Sequence, residues 1–185
     1  MQRGYLMKTN IRIDKKFDLK KIKFDISKEL NLGGFIVRQD HIDRLDRGLG
    51  VDGRSMTPLS PNTVDSKGHS KILVDSDKMR RLNVKKATKQ KQIVTISPGD
   101  KRKYPGTSVT QKDVGKFHQA GTSPYTITPK TAKSLRFQTA DGIVYTKKVN
   151  HPGLPKREWF GISKTVEGRV LKMVENRINR ELIRA

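Results

Sequence analysis

The chain is organised around one stretch, His151-Pro152-Gly153-Leu154-Pro155-Lys156-Arg157-Glu158-Trp159-Phe160-Gly161-Ile162-Ser163. It contains two prolines, two glycines and the only tryptophan of the protein. Because proline fixes φ and lacks a backbone donor, the stretch predicts an extended, semi-rigid strap instead of a helix or a central strand. The large apolar pair Trp159-Phe160 predicts an anchor that holds the strap against the core. The residues expected to build the strap are His151, Pro152, Gly153, Pro155, Arg157, Trp159 and Phe160.

A helix is expected directly after the strap. Ser163 fits its N-cap, because a serine hydroxyl can accept a hydrogen bond from the first turn. Arg177 and Glu181 lie four residues apart and are expected to pair on its surface. Apolar residues then form one helical stripe to the end of the chain: Val166, Val170, Met173, Val174, Ile178 and Leu182.

The N-terminal part predicts an arm or short strand over residues 1–17, followed by a single domain over residues 18–185. Asp18 is a suitable N-cap for a helix. The pair Gly33-Gly34 interrupts the helical pattern, at a cost of about 2 kcal/mol for two interior glycines. Two interpretations stay open: two helices, over 19–31 and 35–47, or one helix kinked at the glycines. The apolar face consists of Leu19, Ile22, Ile26, Leu30, Val37 and Leu45.

The β signals lie between residues 84 and 149. Residues 84–96 predict either a strand pair or a strand with a turn near Thr88-Lys89. Residues 135–137 and 143–145 flank an Asp-Gly turn at 140–142, which predicts a hairpin. The whole pattern predicts an α+β fold, with N-terminal helices and a C-terminal helix packed on a small, mainly antiparallel sheet, and with long extended loops.

Short helical turns are expected within the loops, over residues 62–65, 78–82 and 113–121. Gly121 is expected to end the last of these. The glycines of residues 48–53 formally match the dinucleotide-binding pattern G-x-G-x-x-G. That motif needs a strand before it and a helix opening at it, whereas here a predicted helix precedes it and prolines follow. A glycine-rich turn accounts for it.

Composition limits the function classes. The formal net charge is +22, from 40 Lys and Arg against 18 Asp and Glu, so the chain is expected to seek polyanions. The absence of cysteine excludes disulfides and thiol chemistry and suits a reducing cytoplasm. No apolar run is long enough to span a bilayer, and the first seven residues lack the apolar core of a signal peptide. We expect a protein used in the cytoplasm, or in a particle assembled there.

Catalytic and cofactor patterns are missing. The four histidines, His41, His69, His118 and His151, are scattered without metal-ligand spacing. The series of Asp40, Asp43 and Asp46 beside His41 is compatible with a metal or a general base, but a solvated helix face is the commoner explanation. We therefore expect no enzyme, cofactor, metal or small-molecule substrate. The remaining enzymatic alternative is a hydrolase that uses His118 or His151 with an acidic partner.

The most basic segment, residues 78–103, holds ten Lys or Arg residues and one acid. It has no aromatic side chains for base stacking, so any contact with DNA would be with phosphates and independent of sequence. A solvated strand surface, or a patch facing an acidic partner, explains the charge equally well. The candidate oligomer or phosphate contacts are Lys85, Lys86, Lys89, Lys91, Lys101, Arg102 and Lys103.

Three blocks, in this order, resemble the virion morphogenesis (tail completion) proteins of Mu-like and related tailed phages. The first block is residues 50–63, GVDGRSMTPLSPNT, and the second is residues 67–80, KGHSKILVDSDKMR. The third begins with residues 117–122, FHQAGT, and ends with residues 154–163, LPKREWFGIS. Met56 stands where the family often has Trp, and Asp77 where it often has Gly.

The resemblance implies a non-enzymatic assembly protein of the head–tail junction or upper tail. Since such neck proteins act as rings, it implies a homo-oligomer that contacts neighbouring neck and tail proteins in the virion. A basic ring would also make non-specific contact with the DNA that passes through it. The alternative function is that of a sequence-independent nucleic-acid-binding protein. A membrane partner is not expected.

Overall fold

Two long helices form the frame of the protein, α1 (Ser27–Asp46) and α4 (Lys164–Arg184). The computed structural model describes residues 24–74, 77–98, 103, 108–139 and 142–184. The predicted arm over residues 1–17, the N-cap at Asp18 and the apolar residues Leu19 and Ile22 lie outside these ranges. Within them, the fold is α+β, as the sequence predicts.

The pair Gly33-Gly34 lies inside α1, which runs without interruption through it. The prediction of two separate helices is therefore wrong. A Cβ on Gly33 would lie 2.8 Å from Cγ1 of Val170 on α4, and a Cβ on Gly34 would lie 2.9 Å from Cγ1 of Val94. The glycines allow α4 and the chain before the second strand to approach α1 closely on two sides, and this packing offsets their low helix propensity.

Four of the six residues of the predicted C-terminal stripe are buried, while Met173 and Leu182 are half-buried. Val166, Val170, Val174 and Ile178 are all buried. The side chain of Ser163 accepts a hydrogen bond from the backbone N–H of Val166 at 3.4 Å, which confirms the predicted N-cap. The predicted pair of Arg177 with Glu181 is also present, with 2.6 Å between the two side chains.

The strands form three separate two-stranded antiparallel sheets among the described residues. They are β1 (Leu82–Lys85) with β2 (Thr95–Pro98), β3 (Tyr125–Ile127) with β6 (Val149–His151), and β4 (Leu135–Thr139) with β5 (Gly142–Thr146). The prediction of one small sheet is wrong in this respect, since loops and not hydrogen-bonded strands separate the pairs. The predicted 135–145 hairpin is confirmed, although its turn residues 140–141 lie outside the described ranges.

The short helices lie close to where the sequence places them. They are α2 (Pro61–Lys67), with proline in its first turn, and α3 (Gln111–Ala120). A 3-10 turn covers Lys78–Arg80, and Gly121 at φ 73° follows the end of α3. No helix in the described ranges is long and apolar enough to cross a membrane.

Among the residues that the structure describes, two clusters of buried side chains form the core. One contains Val37, Val166 and Val170, where α1 packs on α4. The other lies beneath the strap and contains Leu45, Met56, Val74, Met79 and Trp159. The second cluster draws residues from five separate segments of the chain, and it positions the site described next.

Candidate functional site

The strap runs in extended form from β6 toward α4. Its first residue, His151, pairs with Tyr125 of β3, and the two rings stack with their centroids 4.8 Å apart. Nδ1 of His151 accepts a hydrogen bond from the N–H of Gly153 at 3.0 Å. Gly153 has a φ of 87°, and a Cβ there would overlap the carbonyl oxygen of Thr122. The start of the strap therefore requires glycine at position 153.

The anchor is Trp159, which is only 1% exposed. Its indole Nε1 donates to the carbonyl oxygen of Gly115 on α3 at 2.9 Å. The ring lies so close to α3 that a Cβ on Gly115 would be 2.5 Å from Cζ2 of the indole. Oε1 of Gln119, one turn along, accepts the backbone N–H groups of Trp159 and Phe160 at 3.2 and 3.1 Å. The predicted anchor is confirmed, and α3 is the element that holds it.

Arg157 is the second fixed point of the strap, with 5% of its surface exposed. Its Nε donates to the carbonyl oxygen of Thr57 at 3.0 Å, and its Nη2 donates to that of Pro58 at 3.1 Å. Its backbone N–H donates to the carbonyl oxygen of His118 at 2.7 Å. One side chain thus joins the 50–63 loop, the strap and α3. Burial lowers the pKa of Arg157.

His118 faces the same guanidinium, with 3.5 Å between its Nδ1 and Nη1 of Arg157. Since a guanidinium only donates, Nδ1 is the accepting nitrogen and the ring is neutral. Burial, then the positive charges of Arg157 and Lys67, lower the pKa of His118 to about 4. At neutral pH the centre of the site therefore carries the charge of Arg157 but none on the imidazole.

A second arginine, Arg44 of α1, closes the far end of the strap and is also 5% exposed. Its Nε pairs with Asp40 at 2.8 Å, and its two terminal nitrogens donate to the carbonyl oxygens of Trp159 and Gly161 at 3.4 and 3.2 Å. The hydroxyl of Ser163 lies 3.3 Å from the other oxygen of Asp40. The strap is thereby tied to α1, to α3 and to the loop before α2.

Several of these residues escaped the sequence reasoning. Arg44, Gly115 and Gln119 carry no motif, and His41 was considered only as a neighbour of the aspartates. His41 is 1% exposed, lies 5.5 Å from the Trp159 ring and donates from Nε2 to the carbonyl oxygen of Met79 at 2.9 Å. The i, i+4 spacing of Asp40 and Arg44 was the one available signal, and spacing alone does not show burial.

The aspartate series has structural partners. Asp40 pairs with Arg44 and Asp46 with Arg80, while Asp43 accepts a hydrogen bond from Gln39. Among the described residues, no group of three His, Asp or Glu side chains could hold a metal ion. The hydrogen bonds that the structure describes at His118 and His151 involve Arg157 and Gly153, and neither involves a carboxylate.

A shallow cavity of about 310 Å³ opens beside the strap, between the 50–57 loop and residues 156–158. Charges of both signs line it, because Lys156 pairs with Glu158 there and Arg54 lies 3.8 Å from Asp52. Such a lining favours neither an anion nor a cation. The glycine-rich segment that borders it is a turn, closed by a bridge between Leu49 and Ser55, as the sequence analysis expected.

The basic segment differs from the strap because its described lysines are exposed to solvent. Lys85 ends β1, and Lys86, Lys89 and Lys91 lie in the loop before β2, all exposed. Lys103 is exposed and pairs with Thr110 in an isolated bridge. Lys101 and Arg102 lie outside the described residues. The structure thus brings the strap residues together, while the described lysines form an open, solvated surface.

Comparison with known proteins finds no relative. No family model matches the chain, and no curated protein or solved structure is similar to it.

Proposed function

We propose that the protein is a structural, non-catalytic component of a phage virion that completes the tail or joins it to the head. In this proposal it acts as a subunit of a homo-oligomeric ring at the head–tail junction or upper tail. Its partners are further copies of itself and the neighbouring neck and tail proteins. The ring is assembled in the host cytoplasm and becomes part of the virion.

One observation carries the proposal: the three blocks that resemble the tail completion proteins meet at the strap. The first block supplies the Thr57 and Pro58 carbonyl oxygens that Arg157 binds. The second supplies Val74 and Met79, which are buried in one cluster with Trp159. The third contains the strap itself and the end of α3. Blocks up to about a hundred residues apart along the chain thus act as one structural unit, which supports a resemblance of the whole domain over a chance match of short motifs.

The chemistry of this unit also favours assembly over catalysis. Its polar side chains form hydrogen bonds with backbone carbonyl and N–H groups, as in a scaffold, and do not point into an open cavity. Arg157 and Arg44 are satisfied by carbonyl oxygens and by Asp40. A rigid frame of this kind suits a subunit that presents loops to its neighbours.

The proposal is tested by mass photometry and negative-stain microscopy of the purified chain, at low and high salt, with and without phage tails or connectors. We expect closed rings, or rings that form only on the added particles. A chain that stays monomeric in every condition contradicts the proposal.

A second function, sequence-independent DNA binding, is favoured by the exposed lysines of the β1–β2 region. If they bind phosphates, the change of Lys85, Lys86 and Lys91 to Ala lowers the slope of log affinity against log salt by about 0.9 for each lost contact. The affinity of the isolated monomer for a 20-base-pair duplex, measured at several salt concentrations, checks this. An unchanged slope would show that these three lysines do not contact phosphates, and it would contradict DNA binding by this surface.

A further inference from the structure

A groove of about 510 Å³ runs between α1 and α4, and no strap residue lines it. Its floor is apolar and consists of Leu32, Phe35 and Ile36 from α1 and Met173 from α4. The first three follow the i, i+3, i+4 spacing of one helical face. Ile36 and Met173 are half-buried and pack against the Val37, Val166 and Val170 cluster, whereas Leu32 and Phe35 lie outside the core of the described residues.

Two of the floor residues are unusually open to solvent. Leu32 is 51% exposed and Phe35 is 61% exposed. Gly33 is buried against Val170 of α4 and Gly34 against Val94, so these contacts pack α1 without using Leu32 or Phe35. An apolar face that folding leaves open, and that polar residues border, marks an interaction surface.

The rim of the groove carries one sign of charge. Arg169, Lys172 and Arg180 of α4 line it, and no acidic residue does. In the part of the chain that the structure describes, none of the three forms an ion pair, and the contact given for Arg180 is from its Nε to the carbonyl oxygen of Asn176. By contrast, Arg177 on the same helix pairs with both Glu29 and Glu181. The rim cations are thus free to meet an external carboxylate.

We propose that this groove binds an amphipathic helix of a partner protein, with an apolar face flanked by Asp or Glu residues. The apolar face covers Leu32, Phe35 and Met173, and the carboxylates pair with the rim cations. This is the helix-in-groove mode of recognition, in which apolar anchors recur at i, i+3, i+4 and i+7. From Arg169 to Arg180 the groove is about 16 Å long, at 1.5 Å per residue, which matches about three turns of a helix.

The charges select this occupant over the alternatives. A second copy of the chain would bring a further net charge of +22 to a cationic rim. Residues 1–23 hold eight Lys or Arg and only two Asp, so this segment is repelled in the same way. Duplex DNA would satisfy the cations, but its phosphates leave the apolar floor uncovered. An acidic amphipathic helix satisfies both parts of the groove.

The test uses a fluorescein-labelled designed peptide of about 18 residues, with Leu at the i, i+3, i+4, i+7 positions and Glu on both flanks. Fluorescence anisotropy measures its binding to the full chain at 50 and 300 mM salt. Two control peptides replace the Glu residues by Lys, or the Leu residues by Ser. We expect binding of the first peptide only, with weaker binding at the higher salt.

Two protein variants locate the site. In the first, Arg169, Lys172 and Arg180 are changed together to Glu, and in the second Lys85, Lys86 and Lys91 are changed to Glu. Both lower the net charge equally, so general attraction between a basic protein and an acidic peptide weakens equally in both. We expect the first to bind at least about tenfold more weakly than the wild type, and the second to bind within about threefold of it. The change Phe35→Ser tests the floor, and we expect a loss of about tenfold or more.

Equal losses in the two triple variants would overturn the proposal, as would failure of the peptide to bind at 50 mM salt. Binding of a 20-base-pair duplex that only the groove variant loses would assign the groove to nucleic acid. A self-association that Phe35→Ser abolishes, seen by analytical ultracentrifugation, would assign it to a second copy. The proposal does not rest on the phage assignment, so a negative result here leaves the ring experiment unaffected.

Discussion

The strap and the β4–β5 hairpin lie close together in the sequence, and both combine aromatic with β-branched or proline residues. The anchoring side chains of the strap are buried in the folded protein, whereas the aromatic side chains of the hairpin are exposed. In the strap, Trp159 and Arg157 are 1% and 5% exposed. In the hairpin, Val144 and Tyr145 are 47% and 65% exposed. The hairpin strands pair with each other and, among the described residues, with no third strand.

The difference shows that anchoring in this protein depends on the distant apolar and polar partners that a segment meets, and not on its own apolar content. The strap is held by Gly115, Gln119 and the Thr57 carbonyl, and each accepts a hydrogen bond from it. Among the described residues, the hairpin strands hydrogen-bond only with each other in a sheet, and an isolated two-stranded hairpin is marginally stable in water. Variants in the two regions should therefore differ sharply, and the four predictions below test this.

The largest effect is expected from Trp159→Ala. Loss of this buried aromatic should lower the free energy of unfolding by about 3 kcal/mol or more, because it leaves a large cavity and removes the hydrogen bond from the indole to the Gly115 carbonyl. The matched change Tyr145→Ala on the hairpin should cost less than about 0.5 kcal/mol. Urea unfolding followed by circular dichroism measures both. Similar losses in the two variants would remove the contrast between the regions.

The next effect concerns Arg157→Lys. An ammonium group cannot reproduce the fork that reaches both Thr57 and Pro58, so one carbonyl oxygen loses its partner. We expect a loss of about 2 kcal/mol of unfolding free energy. Arg54→Lys is the control, because the Arg54 side chain is 89% exposed, and it should change stability by less than about 0.5 kcal/mol. A tolerated Arg157→Lys would show that charge alone, and not the fork, holds the strap.

The third prediction compares the stability effects of alanine at a buried and at an exposed helical glycine, Gly33 and Gly168. Gly33→Ala forces a Cβ against Val170 and should destabilise by about 1 kcal/mol, after the gain in helix propensity is subtracted. Gly168→Ala lies in α4 with no atom within 4 Å of the new Cβ, so it should stabilise by about 0.5–1 kcal/mol. The unfolding temperatures of the two variants, compared with that of the wild type, show whether each change stabilises or destabilises the protein. Stabilisation by Gly33→Ala would mean that the two helices can move apart without cost.

The last effect develops only on acidification and is a pH dependence centred on the strap. The pKa of His118 falls from 6.5 to about 4 in the folded protein, chiefly through burial. Between these values the unfolded chain binds more protons than the folded one, so stability is full above about pH 6.5 and is lost as the pH falls toward 4. Burial also lowers the pKa of His41, which adds to the slope in the same direction.

The variant His118→Asn isolates this contribution. Its amide oxygen can still accept from Arg157, but the side chain does not titrate. We expect the unfolding free energy to vary less between pH 6.5 and 4 in this variant than in the wild type, as measured by urea unfolding at intervals of half a pH unit. An identical slope in both proteins would show that His118 stays accessible to protons in the folded state.

The sequence anticipated features that depend on neighbouring residues. The cap at Ser163, most of the stripe of α4, the hairpin and the extended strap follow from side-chain type and spacing, and the structure confirms them. Of the two interpretations of Gly33-Gly34, the one with a helix boundary is wrong, because helix propensity describes an isolated helix. In the protein, the close approach of Val170 and Val94 makes glycine the residue that fits there.

The candidate site was half visible in the sequence. Trp159, Arg157 and His151 stand out by composition and by their prolines and glycines, and the strap they define is present. Their partners Gly115, Gln119 and Arg44 have ordinary surroundings in the sequence, so nothing local marks them. The sequence also shows the positive charge. It does not show that the charge is divided between an open β1–β2 surface and the rim of a groove on α4.

Composition and local patterning thus settled the elements of this protein: its basic charge, its helices and turns, and the stretch that would be an anchored strap. Tertiary packing decided which elements touch. It set three small sheets in place of one, left Phe35 open beside three cations, and placed a neutral histidine against a buried arginine. The physical reason is that capping and periodicity act over a few residues, whereas burial and hydrogen-bond partnership join segments up to about a hundred residues apart.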